Sequence, residues 1–395
     1  MTKTELPAGF RYAGVTCGIK ASGKPDLSLI VAQQGVVAAG VYTTNQVVAA
    51  PVLLCKARTP GNQIRAVITN SGNANACTGT QGMDDAVAMC RQVAKHVDCD
   101  ESQVLVMSTG VIGQHLPMNC IESGIKDAVN SLADDQAAFI ASAEAIRTTD
   151  KDRKTEQRTV QCGDQTYKIA AMAKGAGMIA PNMATMLSVV LTDAPLSPDQ
   201  AQSLLSRAAS LSFNCVSVDG HTSTNDTLLL LSSGTGKELS EDALDAFAGE
   251  LNQLCIELAK QLVFDGEGAT HIMQVHVRGA ENDAAASTIA KTVAASPLVK
   301  TAITGGDPNW GRIVSAAGYA EAKIDPSQTS LKLCDQTIYE SGLPVDFDAA
   351  ELSQKMKDSP EVTIDLTVGS GKGQATFWAS DLTTDYVTFN SEYTT

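Results

Sequence analysis

The stretch of sequence best suited to chemistry is KGAGMIAPNMATML, residues 174–187. Its two glycines, Gly175 and Gly177, permit a tight, non-helical backbone, and its Pro-Asn pair favours a turn. Ala184 and Thr185 then open a run of strongly β-forming residues. A bent peptide would therefore deliver a threonine hydroxyl to the start of a strand.

Such a bend lets Thr185 act as a nucleophile. Its hydroxyl can attack the carbonyl carbon of Ala184, and an N→O acyl shift followed by hydrolysis would free its α-amine. That amine, with a pKa of about 8, can serve as general base for the hydroxyl of the same residue. The chain has 5 histidines and no Ser/His/Asp pattern, and this chemistry needs neither. The residues alone also allow an ordinary glycine-rich loop that leads into a strand.

Alternating strands and helices must hold this segment in place. Side-chain patterns predict strands over 27–33, 36–44, 66–71, 103–110, 185–193, 227–234 and 273–280, and further strands within 328–340 and 361–379. Helical spacing predicts helices over 83–97, 119–133, 135–147, 240–264, 285–303 and 349–357, and another from about Ser197. The pattern is typical of an α/β fold with mixed sheets covered by helices.

Composition narrows the class of protein. A chain of 395 residues favours two domains or two large lobes. The net charge of -15 and the 4% aromatic content disfavour binding to nucleic acids and to anionic membranes. The N-terminal residues lack an apolar signal core, and no apolar run is long enough to span a membrane. We expect a cytoplasmic protein with no nucleic-acid or membrane partner.

Motifs for metals and nucleotide cofactors are missing from the sequence. The 10 cysteines include no C-x-x-C pair, which disfavours zinc and redox sites and favours free thiols in a reducing compartment. Neither an H-E-x-x-H motif nor a dinucleotide fingerprint occurs, and the run Gly369-Ser-Gly-Lys-Gly lacks the spacing of a phosphate-binding loop. We therefore expect a reaction without a metal or a cofactor.

Motifs along essentially the whole chain resemble, in order, those of the ornithine acetyltransferase family, also called glutamate N-acetyltransferases. Besides the self-cleavage segment 174–187, they are AGVTCGIK (13–20), VYTTNQVVAAPV (41–52), ITNSGNANACTG (68–79), STGVIG (108–113), SVDGHTSTNDT (217–227), FDGEGAT (264–270), GGDPNWGR (305–312) and NSEYTT (390–395). The resemblance implies two central mixed sheets sandwiched by helices (αββα-like), with a smaller C-terminal lobe at roughly 280–395. It also implies cleavage into chains 1–184 and 185–395, which would assemble as α2β2.

The resemblance implies an activity as well. Acetyl would pass from N2-acetylornithine to Thr185 and then to glutamate, giving ornithine and N-acetylglutamate for arginine biosynthesis. The sequence leaves open whether acetyl-coenzyme A is a further donor. Two rival functions remain open. One is an amidase or aminopeptidase, in which the same threonine chemistry uses water as acceptor. The other is a non-catalytic or specialised-metabolism relative that kept the scaffold.

Other site residues follow from the same resemblance. Thr109 and Gly110, at the end of a predicted strand, would form the oxyanion hole, although the residues alone suggest a simple turn. Lys174 would bind a substrate carboxylate, and Glu267 would bind an ammonium group or move a proton. From the residues alone, Lys174 and Glu267 could equally be solvated.

The remaining predicted substrate contacts are Thr148, Thr185 itself, and a C-terminal pair, Asn390 and Thr395. The neighbouring Thr149 leaves open which of the two threonines touches substrate, and helix capping is a rival role. The segment around DPNWGR (307–312) is expected to brace a loop rather than to catalyse.

Two histidines depart from the family pattern. His221 stands where the family usually has Asp, and His271 where it usually has Lys. Because histidine titrates at a pH of about 6.5, these positions could alter substrate preference with pH.

Overall fold

The computed structural model of the chain describes residues 5–180 and 186–392. Its strands are β1 (Phe10–Val15), β2 (Leu27–Tyr42), β3 (Gly61–Asn73), β4 (Val104–Val111), β5 (Lys154–Cys162), β6 (Gln165–Lys174), β7 (Leu187–Thr192), β8 (Val216–Ser217), β9 (Thr227–Ser232), β10 (Ile272–Ala280), β11 (Ser330–Leu333), β12 (Gln336–Glu340), β13 (Leu343–Pro344), β14 (Glu361–Thr367) and β15 (Gly373–Ser380). Its helices are α1 (Ala50–Arg58), α2 (Gly79–Val97), α3 (Met118–Asn130), α4 (Gln136–Ala145), α5 (Pro198–Leu211), α6 (Glu241–Phe264), α7 (Asp283–Ala295), α8 (Pro297–Gly305), α9 (Trp310–Gly318), α10 (Ala349–Asp358) and α11 (Thr384–Glu392).

The first sheet has the strand order β4-β3-β2-β9-β7-β6-β5, and β1 also pairs with β2. The pairs β3–β4 and β7–β9 are parallel, whereas the other pairs are antiparallel. Strand β7, which begins just after the candidate cleavage point, therefore lies in the middle of the sheet between β9 and β6. All six residues of β7 pair with β6 on one side and with β9 on the other, so two ladders fix its register.

Alternate side chains of the first sheet enter two separate cores. Val189 and Leu191 of β7 pack into a core shared with α2, α3 and α4, while Val190 packs into a core shared with α5 and α6. Helices thus cover both faces of the sheet. A strand that is buried on both faces is expected to consist mostly of apolar residues. All six residues of β7 are buried, and four of them are apolar.

The first sheet is curved, because strands far apart in its order meet at their ends. Strand β2 pairs with β3 between residues 27 and 38, with register shifts between Val31 and Ala38, and its residues 37–42 pair with β9. In a flat sheet, the spacings between β4 and β6 would separate these strands by about 24 Å. Their ends nevertheless meet, because Lys174 at the end of β6 contacts Thr109 of β4. The curvature therefore makes one site from two distant strands.

The second sheet has the order β13-β12-β11-β14-β10-β15-β8 and is also mixed, since β10–β14 and β15–β8 are parallel. It shares a core with α7, α8, α9 and α10. Helix α6 contacts strands of both sheets. The prediction of an α/β fold with two mixed sheets and covering helices is confirmed. No helix in the described ranges has the length and apolar character needed to cross a bilayer.

Several predicted elements differ in the structure. The single helix expected over 285–303 is wrong: α7 ends at Ala295 and α8 begins at Pro297, because proline interrupts a helix and the side chain of Ser296 caps the new one. The strands predicted over 27–33 and 36–44 are one strand, β2. Within DPNWGR, α9 begins at Trp310, whose ring packs on that of Tyr339 with a centroid separation of 5.3 Å.

Candidate active site

Every predicted site residue that the structure describes lines one pocket. These residues are Thr109, Gly110, Thr148, Lys174, Glu267 and Asn390. The pocket lies where the ends of β4 and β6 meet the polar loop that precedes β9. Ala184, Thr185 and Thr395 lie outside the described residues. Gly177 and Met178, which shortly precede the first two, line the pocket.

Lys174 and Thr109 form a buried pair at the pocket wall. The Lys174 side chain is only 3% exposed, and its Nζ donates a hydrogen bond of 3.2 Å to Oγ1 of Thr109. Burial lowers the pKa of Lys174, while the nearby carboxylate of Asp150 opposes that shift. Because the Thr109 oxygen accepts from lysine, the hydroxyl hydrogen is left to point elsewhere, including towards an acyl oxygen in the pocket.

Position 110 must be glycine because the backbone of the neighbouring strand β3 leaves no room for a side chain. It has φ of 135°, and a Cβ at this position would lie 2.2 Å from the carbonyl carbon of Gly72. No other residue fits such a close approach in this conformation. A residue without a side chain also leaves the backbone of Gly110 open to a small ligand.

The segment SGNANACTG (71–79) and the loop before β9 support the strand that carries Thr109. Nδ2 of Asn225 donates to the carbonyl oxygens of Ala74 at 2.6 Å and Ser108 at 2.8 Å. The hydroxyl of Ser108 in turn donates to Oδ1 of Asn70 at 2.6 Å. These buried side-chain hydrogen bonds hold the end of β4 in place.

Two carboxylates hold the glycine-rich segment. Oδ1 of Asp150 accepts the amide of Gly175 at 2.6 Å, at the start of the segment. Asp219 accepts the amides of Met178 at 2.6 Å and Ile179 at 2.9 Å, near its end. The bend expected from the glycines is therefore present as far as the described residues reach, and it is stabilised by charge-assisted hydrogen bonds.

A buried ion cluster anchors the loop that carries Thr148. Lys154, only 1% exposed, donates to Asp150 at 2.6 Å and to Asp265. Asp265 also accepts the amide of Lys151. Burial opposes ionisation of Asp150, but the ammonium groups of Lys174 and Lys154 outweigh it and hold the pKa of that carboxyl well below its usual range.

Glu267 faces the pocket with two hydrogen-bond partners on its carboxylate. Its Oε1 accepts from the hydroxyl of Thr149 at 2.7 Å, and its Oε2 accepts from Nδ2 of Asn390 at 3.1 Å. A Cβ on Gly177 would lie 2.3 Å from Oε2, so a larger residue here would force the carboxylate to move. Both Thr148 and Thr149 line the pocket, but Thr149 is the one that holds Glu267.

His221 and His271, the two histidines that differ from the family pattern, have different surroundings. His221 lines the pocket, is exposed, and donates its backbone amide to Asp219 at 3.1 Å. His271 is not among the lining residues and has its Nδ1 3.4 Å from a carboxylate oxygen of Asp381. Of the two positions, His221 is therefore the one that a ligand could meet.

Sequence reasoning missed the residues that support the site: Asp150, Asp219, Asn225 and Tyr386, of which the last three line the pocket. A signal for most of them was present, since RTTD and SVDGHTSTNDT are rich in side chains that bind backbone amides. Across 5–180 and 186–392, no cluster of three or more His, Cys, Asp or Glu residues is arranged to hold a metal ion.

Comparison with known proteins places this chain in a family. The family model of the ArgJ family matches residues 11–395. The arginine biosynthesis bifunctional protein ArgJ of Rhodopirellula baltica is 59% identical over 100% of this chain and 97% of its own length. The crystal structure of the ArgJ protein of Bacillus halodurans has 36% identity and a TM-score of 0.50, covering 51% of this chain and 96% of that one. The ornithine acetyltransferase of Mycobacterium tuberculosis, solved in complex with ornithine, has 38% identity and a TM-score of 0.43, covering 47% of this chain and 98% of that one. The chain therefore belongs to the ArgJ family.

Proposed function

We propose that this chain cuts itself between Ala184 and Thr185 and then transfers acetyl from N2-acetylornithine to glutamate, as an enzyme of arginine biosynthesis. The observation that carries the proposal is the convergence, in one pocket, of the Lys174–Thr109 pair, Gly110 and Glu267. Hydroxyl and backbone donors on one side suit an acyl oxygen, and a carboxylate on the other suits an amine.

In the proposed reaction, the α-amine of Thr185 takes the proton of its own hydroxyl, and Oγ1 attacks the acetyl carbonyl carbon. The resulting oxyanion accepts hydrogen bonds from the Thr109 hydroxyl and the Gly110 amide. The C–N bond then breaks and the amine of ornithine leaves with the proton. The amine of glutamate attacks the acetyl ester, the C–O bond breaks, and the proton returns to Oγ1 of Thr185.

Contacts of the described residues support the binding roles. Glu267 is held by Thr149 and Asn390, so its carboxylate is oriented before a substrate ammonium group arrives. We propose Lys174 for a substrate carboxylate and, through its hydrogen bond, for the orientation of Thr109. Thr148, Thr395 and Thr185 remain proposed contacts.

The length of a solved relative supports cleavage near the middle of the chain. The Bacillus halodurans chain is matched over 96% of its length by only 51% of this chain. A family member whose crystallised chain is half as long is what a cut near residue 184 of 395 would produce. The proposed products are 1–184 and 185–395, and the latter would include the C-terminal lobe at roughly 280–395.

Assembly and location are part of the same proposal. Strands from both products alternate in the first sheet, which supports an associated αβ unit, and we propose that two such units form α2β2. All 10 cysteines are free thiols, which supports a reducing compartment such as the cytoplasm. We propose no nucleic-acid or membrane partner for this acidic chain.

Intact-mass spectrometry of wild type beside Thr185→Ala tests the cleavage. We expect two fragments that meet between Ala184 and Thr185 in wild type and one full-length chain in the variant. Acetyl transfer from acetylornithine to glutamate is then measured against release of free acetate, which would indicate water as acceptor. A full-length mass in active wild-type protein would overturn the proposal. Adding acetyl-coenzyme A as donor tests the further activity.

A further inference from the structure

Asp226 is a buried carboxyl group whose second oxygen has no assigned partner. The residue lies directly before β9 and is 0% exposed. Its Oδ1 accepts the amide of Met186 at 3.2 Å. Its Oδ2 has no hydrogen-bond partner among residues 5–180 and 186–392. Buried polar atoms are rarely left in this state without a functional reason.

The position of Asp226 ties it to the candidate cleavage point. Met186 follows Thr185 in the sequence, so the amide nitrogens of these two residues are separated by three covalent bonds, together about 4.3 Å long. Because Oδ1 of Asp226 lies 3.2 Å from the Met186 nitrogen, these covalent lengths limit its distance from the nitrogen of the Ala184–Thr185 peptide bond to about 7.5 Å at most. That nitrogen is the leaving group of the proposed self-cleavage.

The surroundings favour a carboxyl that keeps its proton. Burial raises the pKa of Asp226 well above its usual range, and the Met186 amide, the Thr43 hydroxyl and the charge of Lys174 only partly oppose this. The Thr43 hydroxyl also donates to the carbonyl of Ser223 at 2.6 Å. An acid held neutral in an apolar site is suited to donate a proton.

We propose that Asp226 is the proton donor of self-cleavage, an inference that rests on the proposed function. As Oγ1 of Thr185 bonds to the carbonyl carbon of Ala184, the C–N bond breaks and the nitrogen takes the proton of Asp226. The carboxylate then recovers the proton that the attacking hydroxyl gives up. The products are an ester and a neutral amine, and water later hydrolyses the ester to leave the carboxyl group of Ala184.

The variant Asp226→Asn tests this step, because asparagine keeps an oxygen for the Met186 amide but has no acidic proton to transfer. We expect cleavage to slow at least about 100-fold, within the range typical of general acid catalysis. Hydroxylamine, which cleaves esters, should not release fragments from the variant, because the ester itself would not form. Folding is checked by circular dichroism and thermal unfolding.

Ser188→Ala is the matched control. Ser188 lies in β7 close to the junction, and its buried hydroxyl likewise has no partner among the described residues. The control should cleave at the wild-type rate. Cleavage of Asp226→Asn at the wild-type rate would overturn the inference, as would release of fragments from that variant by hydroxylamine.

A second pair of variants decides the question if Asp226→Asn does not fold. Asp226→Glu and Asp226→Gln have nearly the same size, and only the first has a carboxyl group. The inference requires cleavage by the glutamate variant and none by the glutamine variant, whereas equal cleavage would contradict it. An intact wild-type chain would contradict the proposed function itself. Equal cleavage of wild type and Asp226→Asn would contradict only the inference about Asp226.

Discussion

The ammonium group of Lys174 lies 3.2 Å from the hydroxyl oxygen of Thr109, although five strand spacings separate β6 from β4 in the sheet. A buried cation on one strand thereby sets the direction in which a hydroxyl on the other can donate. The pair is suited to stabilise a negative charge that develops in the pocket.

Removal of the Thr109 hydroxyl tests this pair. We expect Thr109→Val to lower kcat for acetyl transfer by about 10²- to 10³-fold, the usual effect of losing one oxyanion donor. Thr109→Ser keeps the hydroxyl and should retain most of the activity. Steady-state kinetics of the two variants, each purified in its cleaved form, provide the comparison. Equal rates for valine and serine would rule out a donor role for this hydroxyl.

Gly177→Ala should displace the carboxylate of Glu267 while leaving the Glu267 residue itself unchanged. The new Cβ would lie 2.3 Å from Oε2, so the carboxylate must shift away from Asn390 or Thr149. We expect KM for the amino-acid substrates to rise about 10-fold or more, since a displaced charge loses about one charge-assisted hydrogen bond. Gly249→Ala is the control, because a Cβ there meets open space. An unchanged KM in Gly177→Ala would mean that Glu267 does not bind substrate.

Kinetic measurements can distinguish the roles of the adjacent residues Thr148 and Thr149. Thr149→Val removes the 2.7 Å hydrogen bond to Glu267, whereas Thr148→Val leaves that bond in place. We expect the Thr149 variant to raise KM more than the Thr148 variant, by a factor of about 5–10, which corresponds to roughly 1 kcal/mol. The reverse order would show that Thr148 makes the more important contact.

Asp150 should stabilise the fold in a pH-dependent way. Its pKa lies below the usual value, so its contribution is present above the unfolded pKa of about 3.9 and is lost as the pH falls through the folded value. We expect Asp150→Asn to lower the free energy of unfolding by about 3–5 kcal/mol near neutral pH, because Lys154 loses a buried partner. The difference from the parent should shrink below about pH 4.

Urea unfolding in the Thr185→Ala background is the suitable measurement for Asp150, since that chain is expected to stay intact. The exposed Asp164→Asn serves as control and should change stability by no more than about 0.5 kcal/mol. A stability difference for Asp150→Asn that stays constant down to about pH 2 would contradict the assigned ion cluster.

The sequence predicted the parts of the site that depend on local pattern. Thr109 and Gly110 were expected at a strand end, and the glycines at 175 and 177 were expected to bend the chain, because such preferences act over a few residues. The curvature of the first sheet was not predictable, since it depends on the pairing of strands that are distant in sequence. For the same reason the sequence could not separate Thr149 from Thr148 or single out Asp226, whose environment is built by β7 and β9 together.

The order of strands in the first sheet has a consequence for the timing of events. Strands β9 and β7 follow the proposed cut but lie between β2 and β6, which precede it. Before cleavage, assembly of this sheet is a unimolecular reaction of one chain. After cleavage, the same assembly would require two polypeptides to meet and interleave, so recovery from full unfolding would become bimolecular and dependent on concentration. The cut would therefore make folding of this sheet effectively irreversible, because the separated chains could not refold by the original unimolecular reaction.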